Sequence, residues 1–266
     1  MTLPINLPNL PNLLCASWNV NSVRARLENV LSWIRSQNPD ILLLQETKVQ
    51  NHDFPKEPFE DLGYNLALFG QKTYNGVAIL SKSPLEDVKL GLIDDLEEAR
   101  YIEAFTHNIR VASVYVPNGQ AKDSPKFPYK LNFLKSLQDH IKTLLTYDEV
   151  LVLGGDFNVA PTDFDVHDPV LWQEEILCTS EERQAFQSLL HTGTFDALRS
   201  LHPFDPLYTW WDYRANSYGR NNGLRIDHFL ASSQALDRLE EGGVDAQERG
   251  LEKASDHAPI WITLKA

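Results

Sequence analysis

Short apolar runs recur along this chain, and one after another they stop on amides or carboxylates. Residues 13–18 lead into Asn19 and Asn21, and residues 41–44 lead into Gln45 and Glu46. Residues 110–116 carry Tyr115 and lead to Asn118, while residues 150–153 lead to Asp156 and Asn158. Asp227 sits inside the apolar run 224–231, and Asp256 with His257 precedes the run 260–264. Runs this short and this apolar read as strands covered on both faces. Strand ends that converge on one edge make a rigid platform for a polar site. The chain is therefore expected to be built from buried sheet whose polar ends do its chemistry.

Helical periodicity separates some of these strands. Val23, Leu27, Val30, Leu31 and Ile34 recur at three and four, which predicts a helix with Ser22 as its N-cap and a stop at Asn38-Pro39. A longer helix is predicted over 127–145, with Leu131, Leu134, Leu137, Ile141, Leu144 and Leu145 on one side, and another over 181–190. Further short strands are predicted over 64–69, 76–81 and 101–106, with His107-Asn108 as a hairpin turn. Buried strands, hairpins and a few long helices together predict an α/β fold, a four-layer α/β sandwich of two packed mixed sheets flanked by helices. Residues 1–12, broken by Pro4, Pro8 and Pro11, read as an irregular arm. Residues 13–266 contain no linker and read as one domain.

Charge narrows the partners. With 24 basic and 37 acidic side chains the net charge is −13, so no bulk positive field draws the chain to a membrane or to nucleic acid. A polyanion would be held through bound cations and local basic groups: Arg24 and Arg26; Lys122, Lys126 and Lys130; Arg214, Arg220 and Arg225. The densest aromatic cluster, with Trp210, Trp211 and Tyr213, serves either as a stacking rim for bases or as core. Two cysteines make no disulfide framework and suit a reducing compartment. The proline-broken start lacks the cationic region of a signal peptide, and no run approaches the roughly 20 apolar residues of a membrane span. A soluble cytoplasmic protein is expected.

The polar strand ends suggest specific chemistry. Glu46, fixed at a strand end, suits a hard cation that wants oxygen donors, and Asn19 offers a carbonyl oxygen beside it. In Gly154-Gly155-Asp156-Phe157-Asn158 the acid and the amide face the same way if the strand continues. Asp156 then orients or deprotonates water, and Asn158 holds that water or a phosphate oxygen. Neighbours on a strand point oppositely, so Asp256 is a poor partner for His257, and the buried Asp227 is the candidate instead. A carboxylate beside the imidazole favours its cation, which suits an anionic phosphate. Each group also has a plain structural use: a capping acid for Glu46, a turn for Asn19 or Asp156, a buried ion pair for His257.

Several local motifs occur in a fixed order. They are Trp18-Asn19-Val20-Asn21, Leu44-Gln45-Glu46-Thr47-Lys48, Tyr115-Val116-Pro117-Asn118-Gly119, Lys126-Phe127-Pro128 and Gly155-Asp156-Phe157-Asn158. Toward the C-terminus come Thr209-Trp210-Trp211-Asp212-Tyr213-Arg214, Gly223-Leu224-Arg225-Ile226-Asp227 and Ser255-Asp256-His257-Ala258-Pro259. Together they resemble the exonuclease III family of apurinic/apyrimidinic endonucleases, within the endonuclease/exonuclease/phosphatase superfamily that includes deoxyribonuclease I. The resemblance implies a Mg²⁺-dependent phosphodiesterase of base-excision repair, with Mn²⁺ as a substitute. Such an enzyme cleaves double-stranded DNA 5′ to abasic sites and trims 3′ ends as a monomer without an obligate protein partner.

Residue by residue, the resemblance makes Glu46 the principal metal ligand, with Asn19, Asp156, Asn158, Asp256 and His257 completing the metal-site set. It makes Asp156 the group that activates water and Asn158 its orienting partner. Tyr115 matches a tyrosine at the scissile phosphate or leaving group, and Asp227 with His257 matches the pair that neutralises phosphate oxygens. Asn21, Asn118, Lys126 and Arg214 match DNA-contacting positions, and Trp210 and Leu224 match the apolar pocket for a base-free sugar. Asn118 stands where some members have glutamine, Asn21 where others have aspartate or glycine, and Leu224 follows the bacterial type. A competing reading is a phosphomonoesterase acting on inositol or lipid phosphates, against which the Lys126, Trp210 and Arg214 segments count. A catalytically silent DNA-binding module would be expected to have lost an acid or the histidine, yet Glu46, Asp156, Asp227, Asp256 and His257 are all present.

Overall fold

The computed structural model describes residues 12–92 and 98–265. The irregular arm expected over residues 1–12 lies outside the described residues except for Asn12. Among the described residues, strands form two six-stranded sheets. The first contains β1 (Leu13–Asn19), β2 (Ile41–Gln45), β3 (Asn65–Phe69), β4 (Val77–Ser81), β11 (Leu239–Val244) and β12 (Ile260–Leu264), in the order β11-β12-β1-β2-β4-β3. The second contains β5 (Glu86–Leu90), β6 (Tyr101–Thr106), β7 (Ile109–Tyr115), β8 (Leu151–Asp156), β9 (Thr194–Asp196) and β10 (Asp227–Ser232), in the order β5-β6-β7-β8-β10-β9. The helices are α1 (Leu27–Gln37), α2 (Glu57–Glu60), α3 (Lys126–Leu145), α4 (Ser180–Leu190), α5 (Ala197–Leu201) and α6 (Ser233–Leu236). None of them is long and apolar enough to cross a membrane.

Each sheet is mixed because each holds one parallel pair bridged by a long helix. In the first sheet α1 carries the chain from β1 to β2, and in the second α3 carries it from β7 to β8. Side chains then alternate between two apolar layers. Cys15, Ile41, Leu43 and Ile79 meet Val111, Val152 and Phe229 between the sheets. Ala16, Trp18, Leu42 and Leu44 face the other way, onto Val30, Leu31, Trp33 and Ile34 of α1. On the far side Phe133, Leu134, Leu137 and Ile141 of α3, with Phe186 and Leu189 of α4, cover Ala112, Val114, Leu151 and Leu153. The result is the four-layer α/β sandwich that the runs predict.

Local chemistry explains the joints. The β6–β7 turn puts His107 and Asn108 at φ 49° and 59°, the positive pair that a two-residue hairpin turn needs. Gly155 is required by packing, since a Cβ there would meet the Val114 carbonyl oxygen at 1.9 Å. One boundary differs from the periodicity. The first helix starts at Leu27, not near Val23, and Arg26 rather than Ser22 precedes it. The amides of Ser22 and Val23 donate instead to the carbonyls of Glu46 (2.7 Å) and Thr47 (3.2 Å), which ties this turn to the end of β2. Val23 is still buried, so the apolar spacing runs on through a turn that is not helical.

Candidate active site

Pairing register sets the first row of the site. Tyr115 lies opposite Asp156 in the parallel β7–β8 pair, and Asp156 lies opposite Asp227 in the antiparallel β8–β10 pair. In the other sheet Asn19 is in register with Gln45, and Glu46 follows at φ 50°, where the strand breaks. Isolated bridges link Trp210 to both Leu224 and His257. Strand ends from both sheets therefore deliver their polar side chains to one edge.

The contacts there are dense. Asn19 Nδ2 donates to Glu46 Oε1 and to Asp156 Oδ2, each at 2.9 Å, and so joins the two sheets. Asp156 Oδ1 accepts from the Asn158 amide at 2.9 Å, and its Oδ2 from Asn158 Nδ2 at 3.2 Å. His257 Nδ1 lies 2.9 Å from Asp227 Oδ2, and His257 Nε2 lies 3.7 Å from Asp156 Oδ2. Thr209 Oγ1 donates to the same Asp227 oxygen at 2.6 Å and accepts the amides of Ile226 and Asp227. The second oxygen of Asp227 is buried without a hydrogen-bond partner. Trp18 Nε1 donates to the His257 carbonyl at 3.1 Å, which fixes the histidine's backbone against β1.

One group of atoms has the spacing of a cation site. Ligand atoms of Glu46, Asp156 and His257 all lie within 4.8 Å of one another. Asp256 is not in that group. Its Oδ1 accepts from Asn21 Nδ2 at 2.9 Å and its Oδ2 from Trp210 Nε1 at 3.0 Å, so two neutral donors hold it at the margin.

Electrostatics separates the roles. Burial disfavours the His257 cation, but Asp227 and then Asp156 outweigh it and raise the imidazole to about 10. Burial raises Asp156 to about 7; His257 opposes this, while Asp227 and Glu46 add to it. Burial, with the charges of Glu46 and Asp156, pushes the Tyr115 phenol well above its ordinary range even though Arg100 opposes it. The Arg100 guanidinium stacks on the Tyr115 ring, 4.7 Å from its centroid. Tyr115 is thus a neutral hydroxyl at physiological pH.

The expected DNA-contacting residues are placed unequally. Asn118 and Lys126 are exposed, and with Tyr74, Arg100 and Tyr115 they line a cleft of about 390 Å³ beside the carboxylates. A larger cleft of about 640 Å³ at the edge of β3, among Lys56, Tyr64 and Leu68, contains none of these groups. The Arg214 side chain is 91% exposed, and Asn21 is half-buried between Asp256 and Lys48. Trp210 packs half-buried on a fully buried Leu224, together with Val166, Ile176 and Ile226. Two members of the basic set do not face solvent at all. Lys130 is buried against Glu182, and Arg225 is buried between Asp165 and Asp196. An ammonium or guanidinium paired inside the fold cannot serve a surface patch. Trp211 is core, while Tyr213 is exposed and stacks under Arg249.

The profile of the Endonuclease/Exonuclease/phosphatase family matches residues 16–257, nearly the whole sandwich. The chain belongs to that family. Within it, the chain is 34% identical to "Exodeoxyribonuclease III" of Haemophilus influenzae, over 94% of this chain and 98% of that protein. Among solved structures, a 3′ phosphatase from Neisseria bound to product DNA hairpin is 43% identical, with a TM-score of 0.94 over 96% of this chain and all of the other. An AP endonuclease from Archaeoglobus fulgidus is 38% identical, with a TM-score of 0.92 over the same shares. The family's fold and the exonuclease III resemblance therefore both hold for this chain.

For this family member, sequence reasoning passed over several residues at the site. Lys48 lies 2.7 Å from Glu46 Oε2 and donates to Asn21 at 2.5 Å. It belongs to a quoted motif, yet a lysine beside a candidate metal ligand carries no signal of its own. Thr209 reaches Asp227 across a loop, where local spacing gives no signal. Arg100, by contrast, sits opposite Tyr115 across the β6–β7 hairpin, a pairing that the predicted His107-Asn108 turn implies.

Proposed function

We propose that this chain is a divalent-metal-dependent DNA phosphodiesterase of base-excision repair. It cleaves duplex DNA 5′ to abasic sites and removes nucleotides and blocking groups from 3′ ends. The observation that carries this reading is the convergence of Glu46, Asp156 and His257 within 4.8 Å, with Asp227 behind the histidine. The named activities of the relatives support it.

The donor set fits a hard cation. Carboxylate oxygens of Glu46 and Asp156 dominate it, as Mg²⁺ prefers, and Mn²⁺ accepts the same donors. Asn19 and Asn158 turn their amide nitrogens, not the oxygens expected of them, toward these acids. Asp227 leaves one buried oxygen unpaired beside this group, which is a strong local demand for positive charge. Glu46 is the principal ligand in this reading, with Asp156 beside it. Asn19 and Asn158 hold these two acids in place, and Asp256 reaches the ion only through its water. His257, as a cation, has no lone pair for the metal and faces the phosphate instead. When bound, the ion screens the phosphate and stabilises charge on the oxygens around phosphorus.

The chain's own residues do the rest. Asp156, raised to about 7, takes a proton from the attacking water near neutral pH. Asn158 holds that water against the phosphate. His257, cationic at physiological pH, binds a phosphate oxygen, and Asp227 fixes its tautomer and charge. Neutral Tyr115 donates its hydroxyl hydrogen to a phosphate or leaving oxygen. Water gives its proton to Asp156 as its oxygen bonds to phosphorus. The bond from phosphorus to the 3′ oxygen breaks, and that oxygen takes a proton from solvent and leaves as a 3′-hydroxyl. Asn21, Asn118, Lys126 and Arg214 contact the backbone, while half-buried Trp210 receives a sugar without its base. Leu224 is fully buried and supports Trp210 from beneath instead of lining the pocket. An abasic nucleotide has already lost stacking, so it costs little to extrude.

The deciding experiment is incubation with a duplex carrying one abasic analogue, with Mg²⁺ and then with EDTA. A nick 5′ to the lesion that EDTA abolishes is expected. No cleavage with Mg²⁺ or Mn²⁺, on this duplex or on a 3′-phosphate hairpin, would overturn the reading.

Asp227→Asn tests the electrostatics. Removing this negative charge withdraws the first support of the His257 cation, so the imidazole deprotonates at lower pH. The alkaline limb of the pH–rate profile is expected to move toward neutrality, and an NMR titration of His257 to move with it. An unmoved limb would separate His257 from the phosphate.

A further inference from the structure

Lys130 lies on α3, on the helix side of the second sheet, and is fully buried. Its Nζ donates to the carbonyls of Asn118 (3.1 Å) and Asn158 (2.6 Å) and pairs with Glu182 of α4. An ammonium has three donors and no acceptor, and here all three are used. Glu182 is fixed in turn, because its other oxygen accepts from the Thr179 amide at 3.0 Å and the Thr179 hydroxyl at 2.8 Å. The packing is close: a Cβ on Gly119 would lie 3.1 Å from Lys130 Cδ.

The two carbonyls belong to different loops. Asn118 follows β7, and Asn158 follows β8. Their side chains meet in front of the lysine, with Asn118 Nδ2 donating to Asn158 Oδ1 at 3.2 Å. Asn158 is in the left-handed region at φ 51°, which turns its carbonyl back to Lys130 while its side chain faces Asp156. Asn158 also donates to Val116 O at 2.9 Å and holds both oxygens of Asp156. One buried cation therefore sits behind the two asparagines that border the reacting edge.

A neutral apolar side chain would fill this space without the cost of burying a charge. Only a group with three divergent donors reaches two carbonyls and a carboxylate at once. We infer that Lys130 is a positioning residue for DNA hydrolysis, clamping the Asn118 and Asn158 loops in register so that Asn158 holds Asp156 in its working orientation. The inference rests on the proposed phosphodiesterase activity and deepens it. Lys130 touches no substrate, and the Asn158 that it positions serves the reacting edge, so its main effect belongs to turnover. The Asn118 loop supplies one of several backbone contacts, so DNA binding changes little.

The test is the double variant Lys130→Met/Glu182→Gln, which removes both charges and keeps an acceptor for Thr179. Turnover is expected to fall roughly 10–100-fold, as small misplacements of catalytic groups do. KM for duplex DNA is expected to stay within about twofold, since turnover and not binding carries the misalignment. A crystal structure of the variant is expected to show Asn158 out of the left-handed region and detached from Asp156. If this variant does not fold, Lys130→Gln/Glu182→Gln keeps a hydrogen-bonding side chain and is expected to lose turnover with the same unchanged KM. Wild-type turnover in either folded variant, or an unmoved Asn158, overturns the inference. Should the wild-type chain cleave no DNA, the functional reading fails, and the position of Asn158 in the variant still decides whether Lys130 is the clamp.

Discussion

Asp156→Asn is expected to reduce turnover on duplex DNA by about 10²–10⁴-fold, the usual contribution of a general base. The substitution keeps the shape and removes the charge. Asn158 can still donate to the remaining carbonyl oxygen, but the new amide faces the donor groups of Asn19 and Asn158 where Asp156 Oδ2 now accepts. His257 loses one of the three carboxylates that sustain its cation, the strongest after Asp227. Both changes weaken phosphate binding as well as proton removal. Stability should move the other way. Asp227 and Glu46 repel Asp156 in a buried setting, so replacing one acid by an amide relieves the cluster in the absence of metal. A thermal midpoint in EDTA equal to or above that of the wild type, together with the loss in turnover, is the expected pair of results. Single-turnover rates and melting curves measure both. Wild-type turnover in this variant would remove Asp156 from the chemistry.

Much of this arrangement was legible in the residues because buried strands carry their signal locally. Residues 41–44 and 150–153 are apolar without interruption, and both are strands. Their polar terminators, Glu46 and Asp156, come within 4.8 Å of His257. The strands that escaped notice lack this local signal. Every residue of β5 is exposed, β9 has three residues, and β11 reads Leu-Glu-Glu-Gly-Gly-Val. They exist because a neighbour pairs with them, not because their own pattern demands it. The basic residues teach the same lesson. Lys126 and Lys130 are one helical turn apart, yet one is exposed and the other is buried. What separates them is Glu182, about fifty residues away in sequence, and no spacing rule within the helix reaches that far. Arg225 looked like a DNA contact for the same reason. Its partners, Asp165 and Asp196, each lie about 30 to 60 residues upstream.

Arg225→Met is expected to destabilise the fold by about 3–5 kcal/mol, the cost of leaving buried charges without their partner. Arg225 Nε donates to Asp165 Oδ1 at 2.6 Å, and Nη1 donates to Asp196 Oδ2 at 2.7 Å. Arg199 also reaches Asp165 at 2.6 Å, and His228 lies 3.6 Å from Asp196, so the variant is not wholly uncompensated. Burial opposes ionisation of both acids, yet Arg225 outweighs it and holds each carboxyl below the ordinary carboxylate range. Depressed carboxylates stabilise the fold above their unfolded pKa of about 3.9 and lose that contribution as pH falls through their folded value. Without the guanidinium, burial prevails and the folded values rise. The deficit is then largest near neutral pH and shrinks as the acids protonate on acidification. At neutral pH the thermal midpoint should drop by roughly 10 °C for a chain of this size. Adding Asp165→Asn and Asp196→Asn to the variant should recover much of the loss by removing the stranded charges. A deficit that stays constant from pH 7 to pH 4 would show that packing, and not the unpaired acids, causes it. The same network lies next to the site in sequence, since Arg225 separates Leu224 from Ile226 and Asp227. A folded Arg225→Met at low temperature should therefore retain metal-dependent cleavage with a weakened preference for abasic sites, because Trp210 rests on Leu224 and loses firm support when its neighbour Arg225 is replaced, while Asp227 keeps the Thr209 hydroxyl.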